Sequence, residues 1–186
     1  LDNESYLKFM WLLRNGKKLD LAHPKTFNEK IQWLKLHDHN PLYAVMADKY
    51  RAKKYAADII GEKYIVKNYG VWDHFRDIDF STLPDSFVLK TNHDNAGYVI
   101  VKDKNSFDRD KAEKFLEKHL RSKFYKRWRE WVYELIPPKI IAEELLETTD
   151  GSPLPDYKFY CFNGMPKLIA SYIRENSHQG AKLSFY

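Results

Sequence analysis

The dipeptide Asn163-Gly164 constrains this chain more than any other pair of residues. A two-residue type I′ hairpin turn needs positive φ at both positions, and Asn-Gly meets that need at the lowest steric cost. Asp156 to Phe162 precedes it and Met165 to Ile173 follows it, both rich in residues that favour strands. An antiparallel pair is therefore expected, with Phe162 opposite Met165, Tyr160 opposite Lys167 and Lys158 opposite Ile169. Strand alternation places Lys158, Tyr160 and Phe162 on one face and Tyr157, Phe159 and Cys161 on the other. Pro166 falls at a non-hydrogen-bonded position, where its missing N–H does least harm. Arg174 ends the second strand.

A second strand–loop–strand runs through the middle of the chain. Phe87, Val88 and Leu89 form a short apolar run that Lys90 closes. Thr91 to Gly97 is a polar, turn-forming loop, and Tyr98 to Val101 is β-branched and aromatic. A lysine at the end of a buried strand, facing a loop of backbone N–H groups, suits a polyphosphate. The same residues also describe a solvated lysine beside an ordinary hairpin turn. His93, inside that loop, reads as a hydrogen-bonding residue and receives no role.

Helical spacing dominates the first third. Tyr6, Phe9, Met10 and Leu13 fall at i, i+3, i+4 and i+7 and predict a helix over 4–15, stopped by Gly16. Thr26 and Glu29 have capping-box spacing, and the helix they open is expected to turn Phe27, Ile31 and Leu34 inward. A single long helix is expected from Tyr43 to Ile60, with Asp48 and Lys49 as a surface pair in its middle. Tyr64 to Val66 and Gly70 to Trp72 read as short strands. Asp108 is the expected N-cap of a helix carrying Ala112, Phe115, Leu116 and Leu120. Phe124 to Leu135 reads as a further helix, with Trp128 and Trp131 packed in the core. Lys139 to Leu146 reads as a strand. The fold class is α+β, with two lobes expected.

Composition narrows the function classes. With 186 residues, 44% of them hydrophobic and 16% aromatic, the chain is long enough and apolar enough for a real core. No apolar run approaches the ~20 residues of a membrane-spanning helix. The net charge of +5 allows an anionic partner. The basic runs lie on helical segments, however, where such runs are usually solvated, and no nucleic-acid fingerprint or zinc spacing occurs, so nucleic acid is an unlikely partner. The single Cys161 excludes an internal disulfide. With no secretory signal visible, a cytoplasmic location is expected.

Four pieces together carry a family resemblance. They are His23-Pro24-Lys25-Thr26-Phe27-Asn28-Glu29-Lys30-Ile31-Gln32-Trp33-Leu34, then Ala47-Asp48-Lys49-Tyr50, then Leu83 to His93, and finally Ala142-Glu143-Glu144-Leu145-Leu146 followed by Asp156 to Gly164. In that order and spacing the chain resembles the ATP-grasp proteins, specifically the TupA-like group linked to teichuronopeptide and other cell-surface polysaccharide synthesis. The resemblance implies ATP held between two α+β lobes, and an ATP-dependent ligase that joins a carboxylate to an amine through an acyl phosphate. It implies an α-helical region over 1–62, a small nucleotide-lid lobe over 63–136, and a second lobe beginning at 137. Because the chain stops at Tyr186 as a further element would begin, the C-terminal part of that lobe is expected to be missing.

The resemblance also assigns residues. Lys90 would contact the ATP phosphates, and Asn92 to Gly97 would form the mobile loop over them. Glu143 would accept from the adenine amino group, with backbone near Leu145 reading the ring edge. Glu143 is chosen over Glu144 because successive strand residues point to opposite faces. Asp156 would share the ATP-binding face with Lys158. Lys158 would act near the γ-phosphate, and Arg174 would clamp an anionic sugar-acid or amino-acid substrate. Magnesium is the expected cofactor, with its ligands beyond residue 186. Two alternatives stand beside this reading: a glycosyltransferase-like enzyme using a nucleotide sugar, and a non-catalytic module that binds polyanions or nucleotides.

Overall fold

The structure, a computed structural model, describes residues 1–174 and 181–186, and the side chains of all of these except Phe124, Arg174 and 181–183. Helix α1 (Asn3–Asn15) is capped by Asp2, whose carboxylate accepts from Ser5 N at 2.9 Å, and ends at Gly16 with φ 65°. Its apolar face differs from the expected one. Leu7 is buried with Leu19 and Leu21, and Trp11 and Leu36 pack on them, while Phe9 and Leu13 stay exposed. Periodicity showed that a helix forms; the neighbours decided which stripe turns inward.

Helix α2 (Phe27–His37) starts at the full Thr26–Glu29 capping box. Phe27 points to solvent, contrary to the sequence expectation. The long helix expected next is two helices, α3 (Leu42–Ala47) and α4 (Lys49–Ile60), broken at Asp48. The Asp48 carboxylate accepts from Tyr50 N at 2.9 Å and Arg51 N at 3.3 Å, so it N-caps α4 and ends α3 at the same residue. Tyr64 closes a 3₁₀ turn (Glu62–Tyr64) and is not in a strand; strand β1 is Asn68–Trp72.

Strands β2 (Phe87–Thr91) and β3 (Tyr98–Val101) form the expected central hairpin. Helix α5 (Arg109–Leu120) follows, N-capped by Asp108. The helix expected over 124–135 breaks at Arg129, which has φ 54°, into α6 (Phe124–Trp128) and a 3₁₀ segment, Trp131–Leu135. Trp128 and Trp131 are consequently half-buried and not in the core. Strand β4 (Ile140–Glu143) completes a four-stranded sheet in the order β1-β4-β2-β3, antiparallel throughout.

The core lies between one face of this sheet and α5. Phe87, Leu89, Val101, Leu116 and Ile140 are fully buried there. Each contributes about 1.5–3 kcal/mol relative to exposure. Alternation sends Val88 and Lys90 of β2 to the opposite face.

The last strands are β5 (Asp156–Phe162), β6 (Met165–Arg174) and β7 (Ala181–Phe185), in the order β5-β6-β7. Asn163 and Gly164 have φ 49° and 76°, the two positive values a type I′ turn requires. Phe162 pairs with Met165 as expected, but the register then shifts by one, so Tyr160 faces Leu168 and Lys158 faces Ala170. Lys167 is the extra residue of a bulge. It follows Pro166, which has no N–H to give the ladder.

Two compact units result, Leu1–Glu144 and Leu145–Tyr186. β4 sits between β1 and β2, so residues 140–143 belong to the first unit. Among the described residues no helix is long and apolar enough to cross a membrane.

Candidate functional site

The sheet face opposite α5 carries the chemistry. β2 and β4 pair with Val88 opposite Glu143 and Lys90 opposite Ile141, so Lys90 and Glu143 are diagonal neighbours on that face. Lys90 Nζ lies 2.5 Å from Glu143 Oε2. Lys53, reaching in from α4, lies 3.0 Å from Glu143 Oε1 and also donates to Val66 O at 2.9 Å. Glu143 is 4% exposed, whereas Glu144 is exposed to solvent. Burial alone would raise the Glu143 carboxyl, but the hydrogen bonds from Lys90 and Lys53 outweigh it and hold the group below its ordinary value.

A third lysine stands one helical turn before Lys53. Lys49 Nζ donates to Thr91 O at 2.8 Å and to Asp94 O. Burial pushes its ammonium down, with the nearby Asp94 carboxylate opposing that shift. Its acceptors are backbone carbonyls, so Lys53 and Lys90 contact the Glu143 carboxylate directly while Lys49 stands beside them, with Asp94 as the carboxylate that acts on it most. That excess of positive charge on a sheet face is suited to an anion. Lys53 also lines a cleft of about 480 Å³ with Tyr50, Val66 and Asn68, a volume within the range of about 300–1,000 Å³ typical of small-molecule sites.

The loop beside Lys90 is knitted down. Asp94 accepts from Thr91 Oγ1 at 2.6 Å and from Gly97 N at 2.9 Å, and its second oxygen lies 2.5 Å from His119 Nδ1 on α5. Burial would raise the Asp94 carboxyl; these partners lower it further than burial raises it. A Cβ on Gly97 would lie 2.1 Å from Thr91 Oγ1, so the close approach requires glycine. Asn92 is 1% exposed and its side chain is fully used. It donates to Asp48 Oδ1 and to Pro137 O, each at 3.1 Å, and accepts from Lys139 N at 2.8 Å. In this arrangement the Asn92 side chain is engaged by Asp48, Pro137 and Lys139, and the Asp94 carboxylate braces the turn over 92–97. His93, also buried, has its imidazole pKa pushed down by burial, so the ring is neutral at physiological pH.

Of the residues picked from sequence, Lys90 and Glu143 come together across 53 positions of chain. Asn92 and Gly97 build the frame beside them. Leu145, Asp156, Lys158 and Arg174 belong to the second unit. There Lys158 Nζ pairs with Asp156 Oδ2 at 2.9 Å in an exposed contact, and its ammonium lies 5.3 Å from the centre of the Tyr172 ring. Arg174 ends β6, and its side chain lies outside the described residues. Lys49, Lys53 and Asp48 were missed as site residues. The signal was present: Asp48 stands where an N-cap would, and Lys49 and Lys53 are four apart, on one face of the helix it opens.

The donor set fits a polyphosphate, since the lysines supply compact cations at a strand end. It does not fit magnesium. Among the described residues no group of three or more His, Cys, Asp or Glu side chains could hold a metal, and Glu143 is engaged by two lysines.

A family model described as TupA-like ATPgrasp matches residues 29–182, well over half of the chain. No curated protein and no solved structure matches it. The matched span contains the four-stranded sheet, strands β5 and β6 and every lysine of the cluster, and with it the chain belongs to the TupA-like ATP-grasp family.

Proposed function

We propose that this chain binds ATP on the sheet face of Lys90, Lys53 and Lys49, and that it serves an ATP-dependent carboxylate–amine ligase of cell-surface polysaccharide synthesis. The observation that carries the reading is the lysine cluster around buried Glu143. Lys90 and Lys53 hold the Glu143 carboxylate. Phosphate oxygens compete for the same ammonium groups, leaving the Glu143 carboxylate to accept from the adenine amino group. Tyr98 and Ile100 share the Lys90 face and are about half exposed, which offers flat apolar surface for a base.

In the proposed reaction a carboxylate oxygen of the acid substrate attacks the γ-phosphorus, and the bond from that phosphorus to the β-phosphate bridging oxygen breaks. ADP leaves with the electron pair. The amine then attacks the acyl carbon of the acyl phosphate, inorganic phosphate leaves, and the amine loses a proton. Lys90 and Lys53 counter the charge that builds on the phosphate oxygens, the main service phosphoryl transfer asks of a protein. Lys158 and Arg174 are the residues we assign to the acid substrate. Asp156 orients Lys158, and backbone near Leu145 reads the adenine edge.

Calorimetry with ATP tests the site. Lys90→Met is expected to weaken ATP by roughly tenfold or more, the scale of losing one charged hydrogen bond. Unchanged affinity would sink the assignment. Release of ADP and phosphate only when acid and amine are both present supports the ligase; release of a nucleoside diphosphate from a nucleotide sugar would replace it with a transferase.

A further inference from the structure

Away from the lysine cluster, α1, α2 and α6 enclose a second cleft, of about 240 Å³. Its wall on α2 is Asn28, Gln32 and Lys35, which helical spacing places on one stripe at i, i+4 and i+7. A stripe that faces neighbouring helices is apolar when packing is its only task. Here the stripe is polar, and apolar Phe27 of the same helix is left 76% exposed. The side-chain amides of Asn28 and Gln32 make no hydrogen bond among the described residues.

Arg14 of α1 and Arg127 of α6 complete the wall. Their guanidinium carbons lie 4.2 Å and 5.3 Å from the centre of the Trp128 ring. Neither arginine has a carboxylate at ion-pair distance among the described residues. Lys35 fixes the same tryptophan by donating to Trp128 O at 3.1 Å, and its ammonium has Glu130 at 3.7 Å. Two guanidinium groups are thus held on one ring without a counter-ion, and free amides stand across from them. Guanidinium matches the paired oxygens of a carboxylate or phosphate. Amides that both donate and accept match hydroxyl groups.

We propose that this cleft is a binding site for a small hydroxylated anion, a single sugar ring bearing a carboxylate or a phosphate. Arg14 and Arg127 hold the anionic group, and Asn28 and Gln32 hold the ring hydroxyls. The cleft is smaller than the roughly 300 Å³ at which drug-sized ligand pockets begin, so one ring fits and a nucleotide does not. Arg14 precedes residue 29, where the family match begins, and the cleft lies away from Lys90 and Glu143. It stands whether or not Lys90 binds ATP.

The test titrates the whole chain with D-glucuronate, D-glucose 1-phosphate, D-glucose and inorganic phosphate. Tryptophan fluorescence is the readout, since Trp11 and Trp128 line the cleft, and saturation-transfer NMR on the ligand is the second. At least one charged sugar is expected to bind saturably, and the tighter of the two names the anionic group. Neutral glucose and inorganic phosphate alone are expected to bind at least about tenfold more weakly. Arg14→Gln and Gln32→Leu should each weaken the charged sugar by about tenfold, while Lys90→Met leaves it unchanged. The proposal is overturned if neither charged sugar binds, if glucose or phosphate alone binds as tightly, or if both cleft variants bind like the parent.

Discussion

Lys90–Glu143 and Lys158–Asp156 are the same kind of ion pair in two settings. The first joins two strands of the first unit at 2.5 Å, with the Glu143 side chain 5% exposed. The second joins two residues of a single strand at 2.9 Å, with both side chains about half exposed. Water screens the second pair, so it adds little to folding and leaves both partners free to exchange. In the first pair the Glu143 carboxylate is buried, the Lys90 side chain stays a third exposed, and Glu143 is held by two lysines from different elements. A buried cluster of this kind is a poor way to gain stability, because its desolvation cost offsets most of its attraction. Its value is positional: it keeps cations aimed at one place in low dielectric, where an incoming anion gains most.

The comparison is broken most forcefully by removing the buried partner. Glu143→Leu leaves Lys53 and Lys90 facing one another without a carboxylate, and about 3 kcal/mol of first-unit stability should be lost in urea unfolding. A loss no larger than that of a surface substitution would erase the distinction between the two pairs. Gly97→Ala comes next, at about 2 kcal/mol, because its Cβ would meet Thr91 Oγ1 at 2.1 Å inside the braced turn. Thermal melting reads this, and a parent-like midpoint would mean that the turn is not braced.

Acid sharpens the comparison further. Glu143 and Asp94 titrate below their ordinary values in the folded chain, so near those ordinary values the unfolded chain binds more protons. Their stabilisation is whole above the ordinary carboxylate pKa of about 4 and is lost as pH falls through the lower folded values. His93 has the same sign from burial of a base: the unfolded chain takes the proton first, so stability falls as pH drops below about 6.5. Unfolding measured from pH 7.5 downward should show both steps, and His93→Leu should flatten only the upper one. Stability that rises on acidification contradicts both assignments. The smallest effect belongs to the second unit: Lys158→Ala should leave the unfolding midpoint where it was, and a clear shift would show that this pair also carries load.

Much of the local structure was legible because its causes are local. Asn163-Gly164, the Thr26–Glu29 box, Asp108 and Gly16 all act through backbone groups within four residues, and each stands where the sequence placed it. Asp48 was legible in type but misread in place. A carboxylate in mid-pattern looks like a surface residue until Asn92 and the amides of Tyr50 and Arg51 close on it. The Pro166 bulge was missed for the opposite reason, since one lost ladder donor can be absorbed by a bulge or tolerated at an edge.

The sequence alone determined the family, the α+β class and the choice of Lys90 and Glu143 as a pair worth testing, because strand alternation and motif order survive without coordinates. Only the tertiary structure decided that Lys49 and Lys53 join them, that Asn92 is spent on the frame, and that a polar cleft opens among the first helices. Those outcomes depend on which helix stripe meets which strand face. The energy that selects among stripes comes from burial against distant neighbours, and that term is not written in any short window of the chain.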